Sequence, residues 1–194
     1  MSDSVSERWE QIRSSPDTPA TRLQLLRRFL EEFPEFGTAW HSLGFELTDI
    51  SRFDEAEAAL RKALSLKTQG HYFVMTDLGQ LFRRKGDFAT ARQCFDRAIE
   101  YKPDDAHAYI YCGGMLARLG EFAEAEAMHR RATQCSDGCI DEAHHNLGLV
   151  LRAVERYPEA LECFKRALEI DPYYDDAKEA MEDVERVISM RSDT

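Results

Sequence analysis

Read for the spacing of apolar and polar positions, the chain shows the same two-run pattern again and again. "GDFATARQCFDRAIEYKPDDA" and "RYPEALECFKRALEIDPYYDDA" place an aromatic, two alanines and a proline at matching points. Apolar residues recur three and four apart in runs of about 14 residues, the period of a helix with one buried face. A short break separates the runs, so each unit predicts a helical hairpin.

Four registers follow: "WHSLGFEL" then "FDEAEAALRKAL", "MTDLGQLF" then "FATARQCFDRAI", "YIYCGGML" then "FAEAEAMHRRAT", and "HHNLGLVL" then "YPEALECFKRAL". Gly44, Gly79, Gly113 and Gly148 mark one point in each, separated by 35, 34 and 35 residues. These glycines, with Ala56, Ala91, Ala125 and Ala160, leave room for two helices to approach closely. Gly86 and Gly120 fall at the break, where a left-handed backbone suits glycine. Phe53, Phe88, Phe122 and Tyr157 stand two residues after that point and open the second run.

The period and the motif resemble the tetratricopeptide repeat family over residues 37–174. Trp40, Leu43, Gly44 and Leu47 match the family's first helix, and Ala56, Leu60 and Ala63 its second. Ala91, Phe95, Ala98 and Pro103 match again, as do Ala160, Phe164, Ala167 and Pro172. The third copy is weakest, with Cys112 and His129 at usually apolar positions. The resemblance implies an all-α, right-handed superhelical solenoid of four repeats, 37–71, 72–105, 106–140 and 141–174. Residues 1–36 read as a degenerate helical hairpin, "SERWEQI" and "TRLQLLRRFLEEFPEF" around the turn "SSPDTP", closing one end. Residues 175–194 read as a capping helix and short tail, with Ala177, Met181, Val184 and Ile188 on its packed face. The second and fourth repeats end on proline; the first and third carry Gly70 or Gly138 and one more residue, from a two-repeat duplication or a local bend.

In this family the first helices line a concave groove. The register transferred from it puts His41, Phe45 and Thr48 on the groove from the first repeat, and Phe73, Thr76, Gln80, Arg83 and Arg84 from the second. The third adds His107, Ile110, Tyr111, Gly114 and Arg118, and the fourth Glu142, His145, Asn146, Leu149 and Arg152. Phe45, Phe73, Tyr111 and Leu149 read as apolar anchors. The arginines form a stripe whose planar forks suit carboxylates, or else cover the turns and pair with neighbouring acids. The family's clamp for acidic chaperone tails uses lysine, asparagine and arginine; here His41, Phe45, Asp77 and Tyr111 stand at its key positions and only Asn146 is of the right type.

Composition narrows the classes. The chain has 194 residues, 43% hydrophobic and 31% charged, the mix of one compact folded unit. The net charge of -11 repels phosphate backbones and anionic membranes. The basic runs Arg27-Arg28, Arg83-Arg84-Lys85 and Arg130-Arg131 lie in different repeats without interleaved aromatics, so nucleic acid is not expected. Neither a secretory leader nor a membrane span is read from the sequence, and the expected location is the cytoplasm. Five cysteines, an odd number, predict free thiols. Cys135 and Cys139 with His144 or His145 miss the paired spacing of a zinc site, and Cys94 and Cys163 read as packing residues. No nucleophile elbow, phosphate loop or zincin motif is present. The expected function is therefore a non-catalytic adaptor without cofactor, binding a peptide or protein segment with acidic residues, as a monomer or weak homo-oligomer. The alternative is a small acidic chaperone that holds a client protein.

Overall fold

The computed structural model describes residues 4–14, 18–66 and 70–192. The middle of the predicted "SSPDTP" turn, the linker at 67–69 and the last two residues lie outside these. The regular elements among the described residues are all helices: α1 (Val5–Ser14), α2 (Pro19–Glu32), α3 (Gly37–Asp49), α4 (Phe53–Ser65), α5 (His71–Lys85), α6 (Phe88–Tyr101), α7 (Ala106–Arg118), α8 (Phe122–Ala132), α9 (Ile140–Ala153), α10 (Tyr157–Ile170) and α11 (Asp175–Ser192).

The chain divides into two compact units, Met1–Cys94 and Phe95–Thr194, with the boundary inside α6. Composition predicts one unit instead. The difference follows from the hairpin pattern, because a hairpin in a row touches only its neighbours and no single centre gathers all the apolar side chains.

In the first unit, Thr18 caps α2 and Pro19 occupies its first turn, where the missing N–H costs nothing. Trp9 of α1 is buried and packs on Phe29 and Phe36, with ring centroids 5.8 and 5.4 Å apart. Arg8 fastens the two helices with a two-pronged pair to Glu32 at 2.7 and 2.9 Å and lies over the Phe33 ring. α1 and α2 thus pack on each other through aromatic rings instead of the glycine–alanine pattern. Next to it, α3 and α4 touch at Gly44, where a Cβ would stand 2.5 Å from Leu60 Cγ.

In the second unit the same notch recurs. A Cβ on Gly148 would meet the buried Phe164 ring at 2.5 Å, and one on Gly113 would meet His129 at 2.7 Å. The third hairpin therefore buries an imidazole where the fourth buries a phenyl. Leu147, Leu151, Phe164, Ala180 and Val184 join α9, α10 and α11 in one cluster, flanked by Met181 and Ile188.

All four hairpin turns close with one bond pattern, the N–H of residue 52, 87, 121 or 156 donating to the carbonyl five residues earlier, at 2.9–3.0 Å. Gly86 and Gly120 have φ of 82° and 80° there, and Ser51 and Glu155 adopt the same left-handed backbone at 62° and 61°. The turn geometry is kept without glycine in two of the four places. After α8 the linker takes another course: Ala106 N–H donates to the Asp137 carbonyl at 2.9 Å and Asp137 N–H to the Asp104 carbonyl at 3.2 Å. Gly138 makes this possible, with φ of 95° and its absent Cβ directed at His107 and Ala106.

Candidate ligand-binding faces

In the first unit, α3 and α5 carry the first-helix positions. His41 Nε2 lies 2.6 Å from Asp77 Oδ2, a part-buried pair that bridges the two helices. Phe45 and Phe73 flank it and are 48% and 51% exposed, large apolar rings left in water by the fold. Phe73, Asp77, Gln80 and Arg84 follow one helix face at spacings of four, three and four. Thr76 falls off that face: it is buried, and its hydroxyl donates to the Tyr72 carbonyl at 2.9 Å. Thr48 is buried in the same way against Gly44. Both expected groove positions are therefore corrected, since i−4 back-bonding absorbs their hydroxyls.

The arginines separate by partner. Arg83 Nε donates to Gln80 Oε1 at 2.7 Å. Arg84 reaches back to the α3–α4 turn, donating to Asp49 O and Ser51 Oγ at 3.3 Å each and lying over the Phe53 ring. A cavity of about 180 Å³ opens beside Phe45, with walls of Trp9, Ile12 and Leu26 and the Arg22–Glu46 ion pair at 2.6 Å.

In the second unit, α7 presents His107, Tyr111, Gly114 and Arg118 along one face. His107 is held from both sides: Nδ1 is 2.8 Å from Asp105 Oδ1, and Nε2 is 3.5 Å from Cys139 Sγ. The ring leans on Tyr111, which in turn leans on Phe95. No heavy atom stands within 4 Å of where a Gly114 Cβ would lie, so this glycine opens free space above the helix. Ile110 is buried in the core. Arg118 is exposed and has no ionic or hydrogen-bond partner among the described residues.

On α9, Asn146 Nδ2 donates to Glu142 Oε1 at 3.5 Å, Leu149 is part-buried, and Arg152 is 3.8 Å from Asp183 of α11. His145 is buried: its Nδ1 lies 3.0 Å from the Tyr174 hydroxyl, its ring packs on Phe164, and burial lowers its pKa. It supports the α10–α11 loop and offers a ligand no surface. Of the predicted face, His107, Tyr111, Gly114, Arg118, Asn146, Leu149 and Arg152 are accessible in whole or part.

Among the described residues no group of three or more His, Cys, Asp or Glu side chains is arranged to hold a metal ion. All five cysteines are free. Burial pushes the Cys94 and Cys163 thiols up to about 11, and burial together with Glu142, Asp141 and Asp105 raises that of Cys139. No helix among the described residues is long and apolar enough to cross a membrane.

Sequence models of the tetratricopeptide repeat match residues 37–69, 76–138 and 141–174, well over half of the chain. The chain belongs to the tetratricopeptide repeat family. Human tetratricopeptide repeat protein 7A is 32% identical over 117 residues, 60% of this chain. The chain spans only a small part of the curated relatives it matches, 13% of the length of that one. Among solved structures, YrrB, a tetratricopeptide repeat protein described as having an unusual peptide-binding site, superposes with a TM-score of 0.62 at 23% identity, covering 84% of each chain. The first tetratricopeptide domain of Spaghetti (RPAP3), bound to the HSP90 peptide SRMEEVD, gives 0.57 at 19% identity over 63% of this chain and 96% of its own. These likenesses carry the fold, an all-helical tetratricopeptide solenoid, and that fold generally serves as a non-catalytic scaffold.

Proposed function

We propose that this chain is a non-catalytic binding module that takes a segment of another protein on the exposed faces of its first helices. The observation that carries the reading is the pair Phe45 and Phe73. Two rings, each about half exposed, flank the His41–Asp77 pair. Leaving such rings in water forgoes stabilisation of roughly 1 kcal/mol each, and exposed aromatic anchors are what a binding surface needs.

On α7 the unpartnered Arg118, beside the space above Gly114, favours a segment that carries carboxylates. The face of the first unit thus calls for apolar side chains, and that of the second for acids. The lysine–asparagine–arginine clamp for chaperone tails is not proposed, because His41, Phe45, Asp77 and Tyr111 occupy its positions. Peptide binding by YrrB and by the Spaghetti domain is consistent with this reading and belongs to those proteins.

A photo-crosslinking residue at Phe73, with a control at the exposed Glu100, tests it. The segment captured at Phe73 is then synthesised and titrated by fluorescence anisotropy. Phe45→Ser with Phe73→Ser is expected to weaken binding at least tenfold. Unchanged affinity in that variant overturns the reading. A chaperone acting through the same rings is separated by outcome: it keeps its purified client soluble without joining it to a second folded partner.

A further inference from the structure

The face of α3 formed by Trp40, Leu43 and Leu47 floors a second concavity of the first unit, about 490 Å³ between α2 and α4. Its floor is apolar and its rim is cationic. Arg27 and Arg52 share one carboxylate, Glu55, at 3.0 and 2.6 Å, which leaves a positive charge unbalanced. Lys62 adds a third cation, whose counter-ion Glu35 is 3.3 Å away and 75% exposed. A cationic rim over an apolar floor, in a chain of net charge -11, suits an aromatic ring flanked by carboxylates. The floor accepts the ring, guanidinium groups stack on its face, and the acids balance the rim.

Such a group stands on this same chain, in the loop between α10 and α11 of the second unit. Tyr173 is 90% exposed, the highest value among the exposed large apolar side chains, with Asp175 and Asp176 following it. The loop is held in shape. Tyr173 N–H donates to Asp171 Oδ1 at 2.9 Å, Tyr174 N–H donates to the Asp171 carbonyl at 3.2 Å, and the Tyr174 hydroxyl meets His145. With Pro172 before it, the ring is presented to solvent at little further entropic cost on docking.

We propose that the chain associates with a second copy of itself, Tyr173 of one copy seating in the α2–α3–α4 concavity of another. The contact joins two different surfaces, so it is heterologous, and a pair keeps one free pocket, on one copy, and one free tyrosine, on the other. One ring and two or three ion pairs make a small interface, hence weak and salt-sensitive association. It uses neither Phe45, Phe73 nor Arg118 and stands independently of the binding function above.

Sedimentation equilibrium tests it on the intact chain, over about 1–500 μM and in low and high salt. The wild type is expected to gain mass with concentration in low salt and to revert to monomer in high salt. Tyr173→Ser and Arg27→Glu, both exposed and checked for native circular dichroism, should each weaken association at least tenfold. An equimolar mixture of the two variants should form pairs and stop there, since one keeps only the pocket and the other only the tyrosine. A wild type that stays monomeric throughout, variants that associate like the wild type, or a mixture that fails to pair or grows past dimers overturns the proposal.

Discussion

Replacing His129 by phenylalanine isolates what a buried imidazole does to this hairpin. His129 is 1% exposed, its Nδ1 has no hydrogen-bond partner among the described residues, and its ring fills the notch above Gly113. Burial lowers its pKa from 6.5 to about 4. The unfolded chain therefore takes up a proton near 6.5, whereas the folded chain resists until near 4. Stability is complete above the unfolded value and is lost as pH falls through that window. A displacement of that size corresponds to about 3 kcal/mol in full, of which about 2 kcal/mol is lost between about pH 7 and pH 4.5. The orphaned nitrogen costs about 1–3 kcal/mol more at every pH. Phe95 and Phe164 occupy the equivalent positions, fully buried, so the scaffold accepts a phenyl there. His129→Phe should raise stability near neutral pH by about 1 kcal/mol, allowing for imperfect packing against Gly113. Its urea midpoint should also fall less on acidification, with a wild-type-to-variant difference that grows by about 2 kcal/mol toward pH 4.5. His144 and His145, also lowered by burial, titrate in both proteins and cancel in that difference. Parallel losses in the two chains would refute a neutral buried imidazole.

Three further outcomes are expected. Glu155→Gly relieves a left-handed residue worth about 1 kcal/mol and gives up an exposed ion pair with Arg191, so the thermal midpoint should rise by the equivalent of about 0.5 kcal/mol; a lower midpoint contradicts the strain. Gly148→Ala drives a methyl into Phe164 and should cost about 1–3 kcal/mol, while Gly114→Ala, with open space above it, should gain up to about 1 kcal/mol in denaturant titrations. Cys163, with its thiol pushed up to about 11, should react with iodoacetamide near neutral pH more than about a hundredfold slower than an unfolded control, as read by peptide mass mapping.

The hairpins were legible because close helix contact forces small residues to recur, and Gly44, Gly113 and Gly148 each face a named side chain of the second helix. The packed face of α11 was legible for the same periodic reason, with Ala177 and Val184 fully buried. The ligand-facing register was less so. Neighbouring residues differ by about 100° around a helix, and burial of the intermediate ones depends on what packs beside them. Asp77, not Thr76, shares the solvent face with Phe73, and Tyr174 covers His145 from 29 residues away. The left-handed Ser51 and Glu155 carry no glycine signal. The Asp105–His107–Cys139 contact depends on a backbone bridge that no local pattern announces. The packing of α1 on α2 rests on Trp9, Phe29 and Phe36, an aromatic knot without periodicity, which is why the cavities beside it could not be foreseen.

The bridge between Asp105 and Asp137 has a meaning for the history of the chain as well as for its shape. It brings the entry to α7 and the exit from α8 within hydrogen-bonding distance of each other. A segment whose two ends coincide behaves as a cassette: copying it, deleting it or exchanging it leaves the flanking chain with no gap to cross. The extra linker residue and Gly138, which at first look like an irregularity in the repeat, supply the backbone turn that closes this junction.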